Sequence, residues 1–121
     1  MRRRVLVVED QSDNRQVMCD MLASAGYDVL EAVTGEQGLE LARTEKPDLI
    51  LMDVKLPGLD GLEVTRRIKS MASLSEIPVI IVTSYAASDD NVRAIEAGCD
   101  AYVSKPVSPR RLLGKVREFL P

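Results

Sequence analysis

An open, doubly wound α/β fold is expected from three observations on the chain. Short, continuous apolar runs alternate with segments whose apolar residues follow helical spacing, over five consecutive strand–helix units. The runs lack the polar–apolar alternation of a half-exposed strand, which suits strands buried on both faces of a parallel sheet. Five units are too few for an eight-fold barrel, and no linker, repeat or low-complexity tract divides the 121 residues.

The first strand is Val5-Leu6-Val7-Val8. Val17, Met18, Met21, Leu22 and Ala25 then mark a helix, and Gly26 is its natural stop. Tyr27 to Ala32 reads as the second strand. Thr34 with Gln37 three residues later forms a capping-box signal for a helix through about Thr44, closed by Lys46-Pro47. Leu49 to Met52 is the third strand. Leu56-Pro57-Gly58 and Asp60-Gly61 punctuate a loop before a helix carrying Leu62, Val64, Ile68 and Met71.

Pro78 opens the fourth strand, Val79 to Val82, where a missing N–H does least harm. Ser88 followed by Asp89-Asp90 suits a helix N-terminus, and Gly98 its end. Ala101-Tyr102-Val103 is the fifth strand. Ser108-Pro109 starts the last helix, with Leu112, Leu113, Val116, Phe119 and Leu120 on one face. The expected architecture is a flavodoxin-like, five-stranded parallel sheet in the order 2-1-3-4-5, with five helices in three layers. Residues 1–121 form one domain on this reading.

Composition narrows the function. Apolar content of 45% and charged content of 29% are ordinary for a globular protein. A net charge of −3 speaks against direct nucleic-acid binding. Arg2-Arg3-Arg4 precedes an apolar stretch too short for a signal peptide, and no run approaches a membrane span. Cys19 and Cys99 lack metal or redox spacing, so reduced thiols in the cytoplasm are expected. The absence of histidine excludes Ser-His-Asp and Cys-His catalysis and imidazole-bound zinc.

The strand ends carry the chemistry. The runs terminate in Glu9-Asp10, in Asp53, in Thr83 and in Lys105-Pro106. Ligands of open α/β sheets bind beyond the carboxyl ends of the strands, and in the 2-1-3-4-5 order strands 1, 3 and 4 are central. Glu9, Asp10, Asp53 and Thr83 then become neighbours, with Lys105 reaching inward from the edge strand. Clustered carboxylates call for a cation, and Mg²⁺ takes such hard oxygen ligands alongside phosphate oxygens. Asp53, partly desolvated at a strand tip, can act as a nucleophile towards phosphorus. A metal and an ammonium would neutralise the charge of the transferred group.

In these residues the chain resembles the receiver domains of two-component response regulators. The matching pieces are Val8-Glu9-Asp10, Asp53, Leu56-Pro57-Gly58-Leu59-Asp60-Gly61, Thr83-Ser84, Ala97-Gly98 and Lys105-Pro106, and they span essentially the whole chain. The resemblance implies an aspartyl phosphate at Asp53, taken from the phosphohistidine of a sensor histidine kinase or phosphotransfer protein. It implies Mg²⁺ bound by the carboxylates of Asp10 and Asp53 and the backbone carbonyl of Lys55, with Glu9 acting mostly through a metal-bound water. Lys105 would pair with a phosphate oxygen, Thr83 would hydrogen-bond another, and Tyr102 would turn inward as Thr83 moves. The Lys105–Pro106 bond would be cis. A downstream protein would bind the face of the fourth helix, fifth strand and fifth helix. Such a domain is a phosphoacceptor switch with limited self-phosphorylation and self-dephosphorylation, not a conventional enzyme.

Lys55 and Tyr85, each two residues beyond Asp53 or Thr83, flank the site, and a bulky Tyr85 could screen the acyl phosphate from water and slow its loss. The alternatives are an N-terminal receiver piece of a longer regulator or hybrid kinase, a haloacid dehalogenase-type phosphatase and a flavodoxin-like nucleotide module. The phosphatase wants an aspartate where Lys55 stands. The nucleotide module wants a glycine- or hydroxyl-rich loop where Glu9-Asp10 would repel phosphate.

Overall fold

The computed structural model of the chain describes residues 2–83 and 89–121, and for residues 89–91 the backbone alone. The strands are β1 (Arg4–Val8), β2 (Asp28–Ala32), β3 (Leu49–Asp53), β4 (Val79–Thr83) and β5 (Ala101–Ser104). They form one parallel sheet in the order 2-1-3-4-5. The helices are α1 (Ser12–Ser24), α2 (Gly35–Glu45), α3 (Gly61–Ser70), α4 (Asp89–Ala97) and α5 (Pro109–Phe119).

Alternate residues of each central strand feed two separate cores, which is why the strands carry unbroken apolar runs of four residues. Leu6, Val8, Ile50, Met52, Val79 and Ile81 pack with Ala42 of α2, Leu62 and Ile68 of α3, and Ala94 of α4. Val5, Val7, Leu49, Leu51, Ile80 and Val82 pack with Met18 and Leu22 of α1 and with Leu112 and Val116 of α5. Each fully buried aliphatic side chain contributes about 1.5–3 kcal/mol, so the strands anchor both outer layers. The register brings the carboxyl ends level: Val8 stands opposite Met52, Asp53 opposite Val82, and Thr83 opposite Ser104.

Local chemistry sets the helix ends. Thr34 Oγ1 accepts the Gln37 N–H at 3.1 Å, while Gln37 Oε1 accepts from Val33 N at 2.8 Å, one residue before the reciprocal partner of a capping box. Ser108 caps α5 by accepting from Arg111 N at 3.4 Å, with Pro109 at the first helical position. Gly26 (φ 95°) and Gly98 (φ 96°) follow α1 and α4 in the left-handed region that helix stops favour.

Three details depart from the sequence expectation. Val17 is 51% exposed, and the buried residues of α1 are Met18 and Leu22, because its apolar stripe against the sheet is narrow. Met71 caps α3 from outside the helix. Tyr27 precedes β2, its hydroxyl donating to Leu120 O at 2.8 Å and so tying the β2 entry to the end of α5. The expected Ser88 cap, Ser84 and Tyr85 lie outside the described residues, as do the side chains of Asp89 and Asp90. Among the described residues, no helix is long and apolar enough to cross a membrane.

Candidate functional site

The site grows out of the three central strand ends. Glu9 follows β1 and is fully buried; its N–H donates to Ala32 O at 3.0 Å, continuing the β1–β2 ladder one residue past the strand. Both of its carboxylate oxygens are engaged, Oε1 by Lys105 Nζ at 3.0 Å and Oε2 by Gln11 N at 3.2 Å. Asp10 is exposed in the bend that follows. Asp53 ends β3, is 5% exposed, and places Oδ1 at 3.2 Å from Lys105 Nζ. Carboxylate oxygens of Glu9, Asp10 and Asp53 lie within 4.8 Å of one another.

Lys105 reaches this cluster from beyond β5. Its N–H donates to Thr83 O at 2.7 Å, and its peptide bond to Pro106 is cis, as the resemblance implied. Burial on its own would lower the pKa of the ammonium. The hydrogen bond that it donates to Glu9 and the charges of Asp53 and Glu9 outweigh it, so the pKa stands above the ordinary lysine value. Lys105 therefore stays charged as a bridge between two buried carboxylates.

Thr83 is buried at the tip of β4, one strand from Asp53. Tyr102 lies on β5 opposite Ile81 and is 37% exposed, on the outside of the sheet edge. Lys55 is exposed in the loop after β3. Backbone bonds shape that loop, from Val54 N to Val82 O at 3.3 Å and from Gly61 N to Val54 O at 2.9 Å. Glu36 at the start of α2 steadies it by accepting from Leu59 N at 3.3 Å. The expected site residues Glu9, Asp10, Asp53 and Lys105 thus come together, Thr83 is adjacent, and Tyr102 is partly exposed on the edge strand.

Sequence reasoning passed over two contributors. Gln11 supplies a backbone donor to Glu9, and Arg15 Nη1 donates to Glu9 O at 3.0 Å. No local spacing marks either of them. Gly61, read from the sequence as loop punctuation, abuts the Asp53 backbone, and Asp60 with Glu63 three residues on carries a capping signal. Asp60 indeed caps α3, accepting from Glu63 N at 2.9 Å, where the sequence reading saw loop punctuation.

Beside the cluster, a cleft of about 540 Å³ runs between the start of α1 and the segment after β5, lined by Glu9, Asn14, Val17, Met18, Lys105 and Val107. Three carboxylates face one ammonium, leaving a surplus of negative charge on hard oxygen donors. That donor set fits a divalent cation.

The response regulator receiver domain model matches residues 5–117. The polar-differentiation response regulator DivK of Brucella ovis is 41% identical over 120 residues, covering 99% of this chain and 98% of its own. A CheY-like receiver domain protein of Methanospirillum hungatei is 35% identical, with a TM-score of 0.90 over 98% of this chain and 93% of its own. The receiver domain of sensor histidine kinase PA1611 from Pseudomonas aeruginosa is 32% identical, with a TM-score of 0.93 over 99% of this chain and 98% of its own; its structure has a magnesium ion coordinated in the active-site cleft. The chain belongs to the response regulator receiver domains of two-component signalling, phosphoacceptor switches with limited self-phosphorylation and self-dephosphorylation in place of enzymatic turnover.

Proposed function

We propose that Asp53 is the phosphoacceptor of this receiver and that Mg²⁺ is the cation its acidic cluster serves. The observation that carries this reading is Lys105 Nζ bridging Glu9 and Asp53 at 3.0 and 3.2 Å while Asp10 completes a three-carboxylate cluster. Asp10 and Asp53 would hold the metal through their carboxylates and Lys55 through its backbone carbonyl. Glu9, with both oxygens already bonded inside the protein, would act through a metal-bound water. When bound, the metal neutralises charge on the phosphoryl oxygens. The magnesium in the cleft of the PA1611 receiver supports the choice of ion.

A partner phosphohistidine approaches Asp53, with the cleft beside α1 as the entry route. The carboxylate oxygen forms the new O–P bond as the N–P bond breaks, and the departing imidazole nitrogen keeps the electron pair. Lys105 offers its ammonium to the arriving phosphoryl oxygens, and the Thr83 hydroxyl offers a hydrogen bond to another. Tyr102, 37% exposed on β5, would turn inward with Thr83. That motion shifts a two-state equilibrium on the face of α4, β5 and α5. Val92 and Ile95 of α4, 56% and 61% exposed, give this face the apolar surface for a downstream protein. Free thiols at Cys19 and Cys99 are in keeping with a cytoplasmic setting.

Labelling with a small phosphodonor and Mg²⁺ tests the assignment. Wild type should take up one phosphoryl group and Asp53→Asn none; equal labelling of the two overturns it.

A further inference from the structure

We propose that Arg15 is a positioning residue for the divalent cation, its guanidinium fixing the peptide between Glu9 and Asp10 so that the Asp10 carboxylate is aimed at the metal. The inference rests on reading Glu9, Asp10 and Asp53 as the metal site. Asp10 is exposed and belongs to neither strand nor helix, so packing does not orient it. Its direction is set by the backbone that carries it, and the carbonyl of that peptide is the Glu9 oxygen.

Arg15 Nη1 donates to Glu9 O at 3.0 Å, and Arg15 Nε donates to Glu31 Oε1 at 3.1 Å. The side chain is 19% exposed, against 54% for Glu31. One guanidinium therefore joins α1, the bend after β1, and edge strand β2. On the same bend, Glu9 N is held by Ala32 O and Gln11 N by Glu9 Oε2. Arg15 closes the remaining side, the carbonyl of the peptide that leads into Asp10. A planar fork can grip two acceptors in fixed geometry, whereas a lysine at this position would supply one mobile point charge. Partners that orient metal ligands from behind typically change metal affinity by about 10- to 100-fold when removed.

Electrostatics alone makes the opposite prediction. Removing a cation beside an acidic site should strengthen its hold on Mg²⁺. The direction of the change therefore separates positioning from charge.

Calorimetric titration of the intact chain with Mg²⁺ tests this, alongside thermal unfolding without metal. Wild type should saturate and Asp10→Asn should lose most of the binding. Arg15→Gln should weaken the Mg²⁺ Kd by about 10-fold, with Arg15→Lys weakened less because it keeps the charge and a donor but not the planar fork. An unchanged or tighter Kd in folded Arg15→Gln, even with a lower melting temperature, overturns the role of Arg15. If that variant does not fold, Arg15→Lys, which keeps the positive charge, decides by the same criterion. Failure of wild type to saturate, or of Asp10→Asn to differ from it, overturns the metal-site reading, and the role of Arg15 falls with it.

Discussion

Gly61 lies so close against Asp53 that a β-carbon at position 61 would stand 1.8 Å from the Asp53 carbonyl oxygen. The N–H of Gly61 also donates to Val54 O at 2.9 Å, closing the loop between β3 and α3. The backbone of Asp53 is thus shaped by the absence of a side chain eight residues later. Gly61→Ala must push the end of β3 or the start of α3 aside. Such overpacking costs about 1–3 kcal/mol, and phosphodonor labelling at Asp53 should slow with it. Urea unfolding and labelling kinetics check the two effects; an alanine variant with wild-type values in both would refute the close packing.

Lys105 supplies a pH-dependent term. Its pKa in the folded chain is raised above the ordinary 10.5, through Glu9 and Asp53 overcoming burial. A raised pKa means that the bridge contributes its full stability below about pH 10.5 and loses it as pH climbs through the folded value. Stability should therefore fall more steeply above this pH in wild type than in Lys105→Met. At neutral pH Lys105→Met should be less stable by about 1–3 kcal/mol, because Glu9 is left buried without its cation. Denaturant unfolding from pH 7 to 11 measures both, and parallel pH profiles for the two proteins would contradict the bridge.

Lys69 acts as a clip at the opposite end of the sheet. Its ammonium donates to Ser75 O at 3.2 Å, Ile77 O at 2.8 Å and Asp100 Oδ2 at 2.7 Å, and the same Asp100 oxygen accepts from Val79 N at 2.8 Å. One side chain on α3 thereby joins the entries to β4 and β5. Lys69→Met should destabilise the fold by about 1–3 kcal/mol while leaving phosphodonor labelling of the folded protein near wild type. A labelling defect as large as the stability defect would argue that the clip reaches the site.

Cys19 should be a slow thiol. Burial, followed by the charge of Glu31 and a hydrogen bond to it, pushes its pKa up to about 12 despite the opposing charge of Arg15. Burial, then the charge of Asp100, raises Cys99 as well. Thiolate is the reactive form, so alkylation of Cys19 at pH 8 should be roughly 100-fold slower in the folded chain than in the unfolded one, after allowing for the greater nucleophilicity of a high-pKa thiolate. Comparable rates in the two states, read by mass spectrometry, would refute the shift.

Much of this was legible in the residues themselves. Continuous apolar runs such as Leu49–Met52 belong to strands covered on both faces, and the two cores on either side of β3 bear that out. Pro109 after Ser108 and Gln37 after Thr34 announced helix starts through interactions spanning three or four residues. Val17 was misjudged because helical spacing shows which residues share a face but not how wide a stripe the neighbouring layer covers.

The sequence by itself determined the order of the elements and the polar residue at each strand end, because strand burial, helix caps and glycine stops act over a few neighbouring residues. Only the tertiary structure decided that Lys105 lies between Glu9 and Asp53, that Arg15 grips the Glu9 carbonyl, and that Gly61 meets the Asp53 backbone. Each of these contacts joins separate elements at close range. Contacts of that kind depend on sheet order, register and the path of a bend, which local spacing does not encode.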